Sequence, residues 1–184
     1  MKKIVLGLLL AFAMNVHAED APPSVQKIVP AIEAWGNNSA LITAVKAQNA
    51  EHLTMDVIKA RDEKWMTTAG VDDFMKSLLG NSAAAELKKL AATAPYYTEL
   101  FLMDNQGANV AMTNKTSDYW QGDEAKFKES YKGGVGAVHI GKVKFDTSAQ
   151  AYLVQVSVPV KDSGHVIGAL TVGINVDNLE APGK

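Results

Sequence analysis

The sequence predicts an α+β fold in which helices come first and an antiparallel sheet second. Three observations carry that prediction. Apolar residues recur at helical spacing from Val25 to about Ala92, and the period becomes strand-like at Pro95. The later segments are joined by turns of hairpin length, which suit only strands that run antiparallel. The order is therefore helices, then β-β-α-β-β-β, with a long N-terminal helix free to cover one face of the sheet.

The first helix places Val25, Ile28, Val29, Ile32 and Trp35 on one stripe. Pro30 inside that pattern predicts a kink, or a start near Val29. Gly36-Asn37-Asn38 supplies a stop, and Ser39 is positioned to cap the next helix. From 39 to about 67 the chain reads as one long helix, with Leu41, Ile42, Val45, Asn49, His52 and Leu53 along a broad stripe and Ile58 and Trp65 beyond it. Shorter helices occupy about 72–79 and 82–92, the latter with Ser82 as its cap.

In the second half, segments 97–103 and 108–113 flank Asp104-Asn105-Gln106-Gly107, a hairpin turn. The stretch "TSDYWQGDEAK" comes next, then a helix at about 123–131. Three strand segments complete the chain: 135–145, broken at Gly141, 150–160, and 165–175. Lys161-Asp162-Ser163-Gly164 turns the last two into a hairpin.

At the N-terminus Lys2 and Lys3 precede an apolar run over 4–14, and Val16-His17-Ala18 offers a cleavage site. This is the pattern of a secretory signal peptide over residues 1–18. The run is well short of the roughly 20 residues needed to cross a bilayer. Export to the periplasm is the expectation, with 19–24 as a flexible mature terminus and 25–180 as a single domain. Losing residues 1–18 takes the formal charge from −2 to −4, which argues against nucleic acid as a partner. The absence of cysteine excludes disulfides, thiolate nucleophiles and thiolate-bound metals.

No catalytic or metal motif outweighs its structural explanation. Gly136-Ala-Val-His-Ile-Gly141-Lys142 imitates a phosphate-binding loop, but Val143 stands where a hydroxyl must hold magnesium, and the segment runs into a strand. His52, His139 and His165 lack ligand spacing. No G-x-S-x-G elbow presents Ser157. Asp104 to Gly107 suits a turn better than a calcium loop. No metal, cofactor or catalytic residue is expected, and a hydrolase has little support.

In "TSDYWQGDEAK", Asp123 and Glu124 are explained by N-capping and the helix dipole, and Gly122 by a backbone bend. Asp118, Tyr119 and Trp120 are left over. Two adjacent aromatics in a polar loop are either a plug at one end of the sheet or the wall of a ligand pocket, with Asp118 available to a cation or hydroxyl. Strand parity bears on this. Tyr152, Val154, Val156, Val158 and Val160 share one side, whereas Leu153, Gln155, Ser157 and Pro159 share the other, and Thr171, Gly173 and Asn175 also share a side. Gln155, Ser157 and Thr171 make a poor solid core; they suit a cavity or a wetted face.

Three segments in order, "NNSALITAVKAQNAEHLTMDVIKARDEKW", "FLMDNQGANVAMTNKTSDYWQGDEAKF" and "FDTSAQAYLVQVSVPVKDSGHVIGALTVGI", resemble the extracytoplasmic Cache, or PDC, sensor domains of bacterial receptors over about 25–179. The resemblance implies a long N-terminal helix on a five-stranded, PAS-like antiparallel sheet. It implies a small ligand, of the organic acid, amine or amino acid class, held between the sheet and the loop-helix segment after the first hairpin. Asp118, Tyr119 and Trp120 then fall in that segment, and Gln155, Ser157 and Thr171 on the later strands. The arginine that double-domain members place near the aromatic has no match in the loop, since the only arginine is Arg61, on the helix. The chain stops at Lys184, where receptors continue into a transmitter. The expectation is a free-standing sensor domain that signals through a membrane receptor partner or through a homodimer along the long helix. The rival expectation is an envelope protein-interaction module whose aromatic loop is a plug and which binds no small ligand.

Overall fold

The computed structural model describes residues 20–146 and 150–181. The predicted signal peptide lies outside the described residues. Five helices come first: α1 Pro23–Trp35, α2 Ser39–Asn49, α3 Met55–Thr67, α4 Asp73–Gly80 and α5 Ser82–Ala91. Strands β1 Tyr97–Met103 and β2 Asn109–Met112 precede α6 Ala125–Tyr131; β3 His139–Ile140, β4 Lys144–Asp146, β5 Ala151–Asp162, β6 His165–Asn175 and α7 Val176–Glu180 complete the chain. The fold is α+β, and the sheet is antiparallel with the order β2-β1-β6-β5-β3, β4 also pairing with β5.

The sheet has six strands where five were expected. The segment 135–145 divides at the predicted break: β3 and β4 lie one after the other along β5, and Gly141 between them still donates its N–H to the Gln155 carbonyl at 2.8 Å. The Gly136 to Lys142 stretch is thus strand and bend, with no helix at its end to receive a phosphate.

The continuous helix expected over 39–67 is two helices. Ala50 to Thr54 interrupts it, with His52 at φ 49° and the Thr54 hydroxyl accepting from the Val57 N–H. The reason lies in what each half must cover. Leu41 and Val45 of α2 pack on one core, whereas Ile58 and Trp65 of α3 belong to a second core on the other side of the sheet. A straight helix of that length would run about 43 Å at 1.5 Å per residue and could not serve both. Asn49 fixes the corner, donating to the Ile167 carbonyl at 2.8 Å and accepting from the Asn105 N–H at 3.0 Å. A homodimer along one long helix therefore loses the continuous surface it was predicated on.

α1, by contrast, runs through Pro30 and opens at Pro23. Pro30 is exposed and costs one backbone hydrogen bond, about 3 kcal/mol in a helix interior. Burial of Val25, Val29 and Ile32, at about 1.5–3 kcal/mol each, outweighs it. The caps of α2 and α5 fall one residue early: Asn38 accepts from Ala40 N–H at 2.9 Å, and Asn81 from Ala84 N–H at 2.8 Å.

The sheet's two faces differ as the parity predicts. Leu100, Leu102, Val154, Val156, Val158, Val160, Leu170, Val172 and Ile174 form the core with α1, α2 and α5. Phe101, Met103 and Ala169 face the second core with α3, α4, α6 and the loop 113–124.

Candidate functional site

Along the second face, alternate residues of β1 and β5 place Glu99, Phe101, Gln155 and Ser157 on one side, opposite Thr171 and Gly173 of β6. Gly173 makes room for this: a Cβ there would stand 2.5 Å from Cγ of Glu99. Glu99 accepts from Nε2 of Gln155 at 3.0 Å. Ser157 and Thr171 are fully buried and share a hydrogen bond of 2.8 Å, so each hydroxyl relieves the other's desolvation, about 1–3 kcal/mol if left unmade.

Above the Glu99 end of this face lies a groove of about 900 Å³, lined among others by Glu99, Ser117, Glu124, Lys126, His139, Lys142 and Gln155. Lys126 enters from the first turn of α6 with its side chain only 13% exposed. Its ammonium pairs with Glu124 at 3.2 Å and lies 5.2 Å from the centre of the Phe101 ring. The ammonium is flanked by an acid on one side and an aromatic face on the other. The groove thus offers an ammonium, a carboxylate and an amide on one floor, able to take ionic and hydrogen-bonding groups of either sign.

The loop after β2 is held from three sides. Asp62 of α3 accepts from the backbone N–H groups of Tyr119 and Trp120 at 2.8 and 2.9 Å. Trp65 Nε1 donates to the Thr116 carbonyl at 2.9 Å. Three donors, from Asn109, Thr116 and Gln121, converge on the Asp118 carbonyl. The hairpin turn braces the loop from below: Asp104, itself buried, accepts from Gln106 N–H, Ala108 N–H and Gln48 Nε2. Gly107, at φ 84°, presses on Gly122, where an added Cβ would come within 2.5 Å.

The six residues singled out in sequence therefore occupy different settings. Gln155 lines the groove; Ser157 and Thr171 sit in the same face but fully buried. Asp118 is half-buried and bonded by the Ser117 hydroxyl, and Ser117, like Glu124, brings the loop to the groove. Trp120 is half-buried, donates from Nε1 to the Gln106 carbonyl at 2.8 Å, and has the Lys59 ammonium 5.5 Å from its ring centre. Tyr119 is fully buried against Trp65 and Phe74, with ring centres 5.9 and 5.3 Å away. Its hydroxyl makes no hydrogen bond. Burial pushes that phenol's pKa up, and the Arg61 guanidinium beside it pulls the other way. The fold thus carries the sole arginine to the aromatic loop from α3.

Two assignments in the loop change. Glu124 is the N-cap of α6 but makes no side-chain cap bond, and α6 has no acid in its first turn. Glu124 is turned instead to Lys126, which a capping pattern could not reveal. Gly122 is needed less for a bend than for space, since a Cβ would meet Trp120 Nε1 at 2.4 Å. Glu99 and Lys126 escaped the sequence reading for different reasons. Glu99 was legible as an acid at the parity of Phe101 and Met103, whereas Lys126 looked like any helix lysine. Among the described residues no group of three or more His, Asp or Glu could hold a metal ion, and no helix is long and apolar enough to cross a membrane.

A family model described as "Methyl-accepting chemotaxis protein-like, first PDC sensor domain" matches residues 71–181, which take in all six strands. Among solved structures, the chain is similar to the sensory domain of the Campylobacter jejuni chemoreceptor Tlp3, at 15% identity, covering 89% of this chain and 70% of that one with a TM-score of 0.44. It is similar to the sensor domain of the V. cholerae histidine kinase DctB, at 14% identity, 86% of this chain and 54% of that one, TM-score 0.43. A third is the ligand-binding domain of the Pseudomonas aeruginosa amino acid chemoreceptor PctC in complex with GABA, at 12% identity, 84% and 63% coverage, TM-score 0.39. The chain spans about half the length of the DctB domain. No curated protein matches it by sequence. With more than half of its residues matched by the family model, the chain belongs to the methyl-accepting chemotaxis protein-like PDC sensor domains.

Proposed function

We propose that this protein is a periplasmic sensory domain that binds a small organic acid, amine or amino acid in the groove over Glu99, Lys126 and Gln155, and does no catalysis. The observation that carries the reading is the enclosed Lys126 facing the same groove as Glu99, in a space of the size small-molecule sites have. Family membership supports a ligand, and the solved structures to which the chain is similar include one in complex with GABA and one with L-norvaline. In this reading Ser157 and Thr171 stiffen the floor, and Asp118, Tyr119 and Trp120 form the wall that Ser117 extends to the groove. A bound ligand changes how α6 and the loop sit on the sheet, and a membrane receptor reads that change.

A thermal-shift panel of carboxylates, amines and amino acids tests this. A true ligand raises the melting temperature, by about 2.7 kcal/mol of added stability at one hundred times its Kd. Lys126→Gln or Gln155→Ala should weaken binding at least tenfold with folding intact. No shift from any compound, or binding indifferent to both substitutions, sinks the reading.

The burial of Tyr119 favours a second one, in which the loop is a plug and the molecule acts by protein contact. Capture of an envelope receptor that survives Lys126→Gln and is lost on charge reversal along α2 would favour that alternative. Export is tested separately, by finding the chain in the periplasmic fraction with its N-terminus at Glu19.

A further inference from the structure

The sheet has two outer edges, and the fold treats them differently. At β2 the edge is closed: the Asn109 N–H donates to the Tyr119 carbonyl at 3.0 Å, Ala108 bridges to Trp120, and Asn81 Nδ2 donates to the Val110 carbonyl at 2.9 Å. At the far edge β4 pairs with β5 on its inner side only, Lys144 with Leu153, Phe145 with Tyr152 and Asp146 with Ala151. Among the described residues none hydrogen-bonds to the outer side of Lys144 or Phe145. An open strand edge is a template for another strand.

A second observation lies on the same edge. Phe145 and Tyr152 are 40% and 50% exposed, the two exposed aromatic side chains among the described residues. They meet edge-on with ring centres 5.2 Å apart, and neither belongs to either core. A lysine on an edge ordinarily blunts it, and Lys144 is exposed there. Asp146, two residues on and on the same face, reverses that for one partner. When a second β4 lies antiparallel and centred on Phe145, Lys144 of each copy stands opposite Asp146 of the other, and Phe145 stands opposite Phe145. Opposite charges and aromatic pairs directly across two strands are favourable. On the aromatic face Tyr152, Phe145, Phe145 and Tyr152 then form one row at the interstrand spacing of about 4.8 Å.

We propose that β4 is a self-association edge, through which two copies of this chain join antiparallel over Lys144–Asp146 into one continuous sheet. Three paired residues a side make a small interface, so the association is weak and depends on concentration. Lys144, Phe145 and Asp146 also line the groove, so the junction brings the two grooves together.

The two-fold pairing of a lysine with an acid makes the test specific. In sedimentation velocity on the purified protein, the sedimentation coefficient should rise with concentration from that of a monomer toward that of a dimer. Lys144→Glu and Asp146→Lys should each weaken the association roughly tenfold or more, because each sets like charges opposite one another across the junction. An equimolar mixture of the two variants should associate as the wild type does, since every acid in it again meets a lysine. That recovery also shows that both variants are folded. Phe145→Ala should weaken association with the melting temperature unchanged. A protein that stays monomeric at every concentration overturns the proposal and leaves the edge to a strand of another protein. A dimer that survives both charge reversals, or is lost instead on charge reversal along α2, places the second copy on the helices and overturns it too, as does a mixture that fails to recover.

Discussion

The two faces of the sheet are built from the same strands by alternate residues, and they do opposite things. Toward α1, α2 and α5, β5 and β6 present an unbroken apolar layer whose members are nearly all fully buried. Toward α6 and the loop, the intervening positions carry Glu99, Gln155, Ser157 and Thr171 beside Phe101 and Met103. One face supplies the stability that lets the other remain polar and concave. The cost of polarity is met locally, by pairing Ser157 with Thr171 and Gln155 with Glu99.

The largest effects should therefore fall on the helix-covered face. Leu170→Ala removes a fully buried side chain there and should cost about 2–5 kcal/mol, read as a lower urea midpoint. Gln155→Ala, on the neighbouring strand but the other face, should cost less than about 1 kcal/mol while altering ligand response. Equal losses from the two would end the distinction between a structural and a binding face.

The hydroxyl pair is a smaller and sharper test. Ser157→Ala or Thr171→Val alone leaves a buried hydroxyl without its partner and should cost about 1–3 kcal/mol. The double variant should be close to the better single one, giving a coupling energy of about 1 kcal/mol or more in a double-mutant cycle. Simple additivity would mean that water already serves these groups and that the floor is wet.

How much of this could be read from sequence depends on the range of the forces involved. Strand parity is local, so the division of Val154, Val156 and Val158 from Gln155 and Ser157 was legible. So was the break at Gly141, though not that its two halves would both pair with β5. The corner between α2 and α3 was hidden because Ala50, Glu51 and His52 all tolerate helix; the left-handed residue is His52, with no glycine to mark it. What forces the corner is that Leu41 and Trp65 belong on opposite sides of the sheet, a fact of tertiary packing. The meeting of Arg61 with Tyr119, and of Asp62 with the loop's N–H groups, spans 57 residues or more and has no signature along the chain. In "TSDYWQGDEAK", residue types announced a loop and a helix, but the direction each side chain takes depends on what α3 places beside it.

The smallest effects concern two carboxylates that α2 holds at the tips of the two hairpins. Asp104 is buried and bonded by Gln48, and burial raises its pKa from the usual 3.8 against the pull of that bond and of the Ala108 and Gln106 N–H groups. Asp162 is partly exposed, and its pairing with Lys46 at 2.6 Å lowers its pKa. The signs oppose. With a raised pKa the folded state holds its proton longer, so Asp104 makes the protein less stable as pH rises from about 4 through the folded value. With a lowered pKa, Asp162 contributes stability that is present above about 4 and is lost as pH falls through its folded value. Melting temperatures taken from pH 2 to 7 should therefore show wild type losing ground to Asp104→Asn as pH rises above 4, and losing ground to Asp162→Asn as pH falls below 4. In 1 M salt the Asp162 difference should shrink toward nothing, because an exposed pair is screened. The Asp104 difference should persist, because its cause is burial. If salt erases both alike, the buried turn is more open to water than its packing implies, and the brace under the aromatic loop is weaker than the hydrogen bonds suggest.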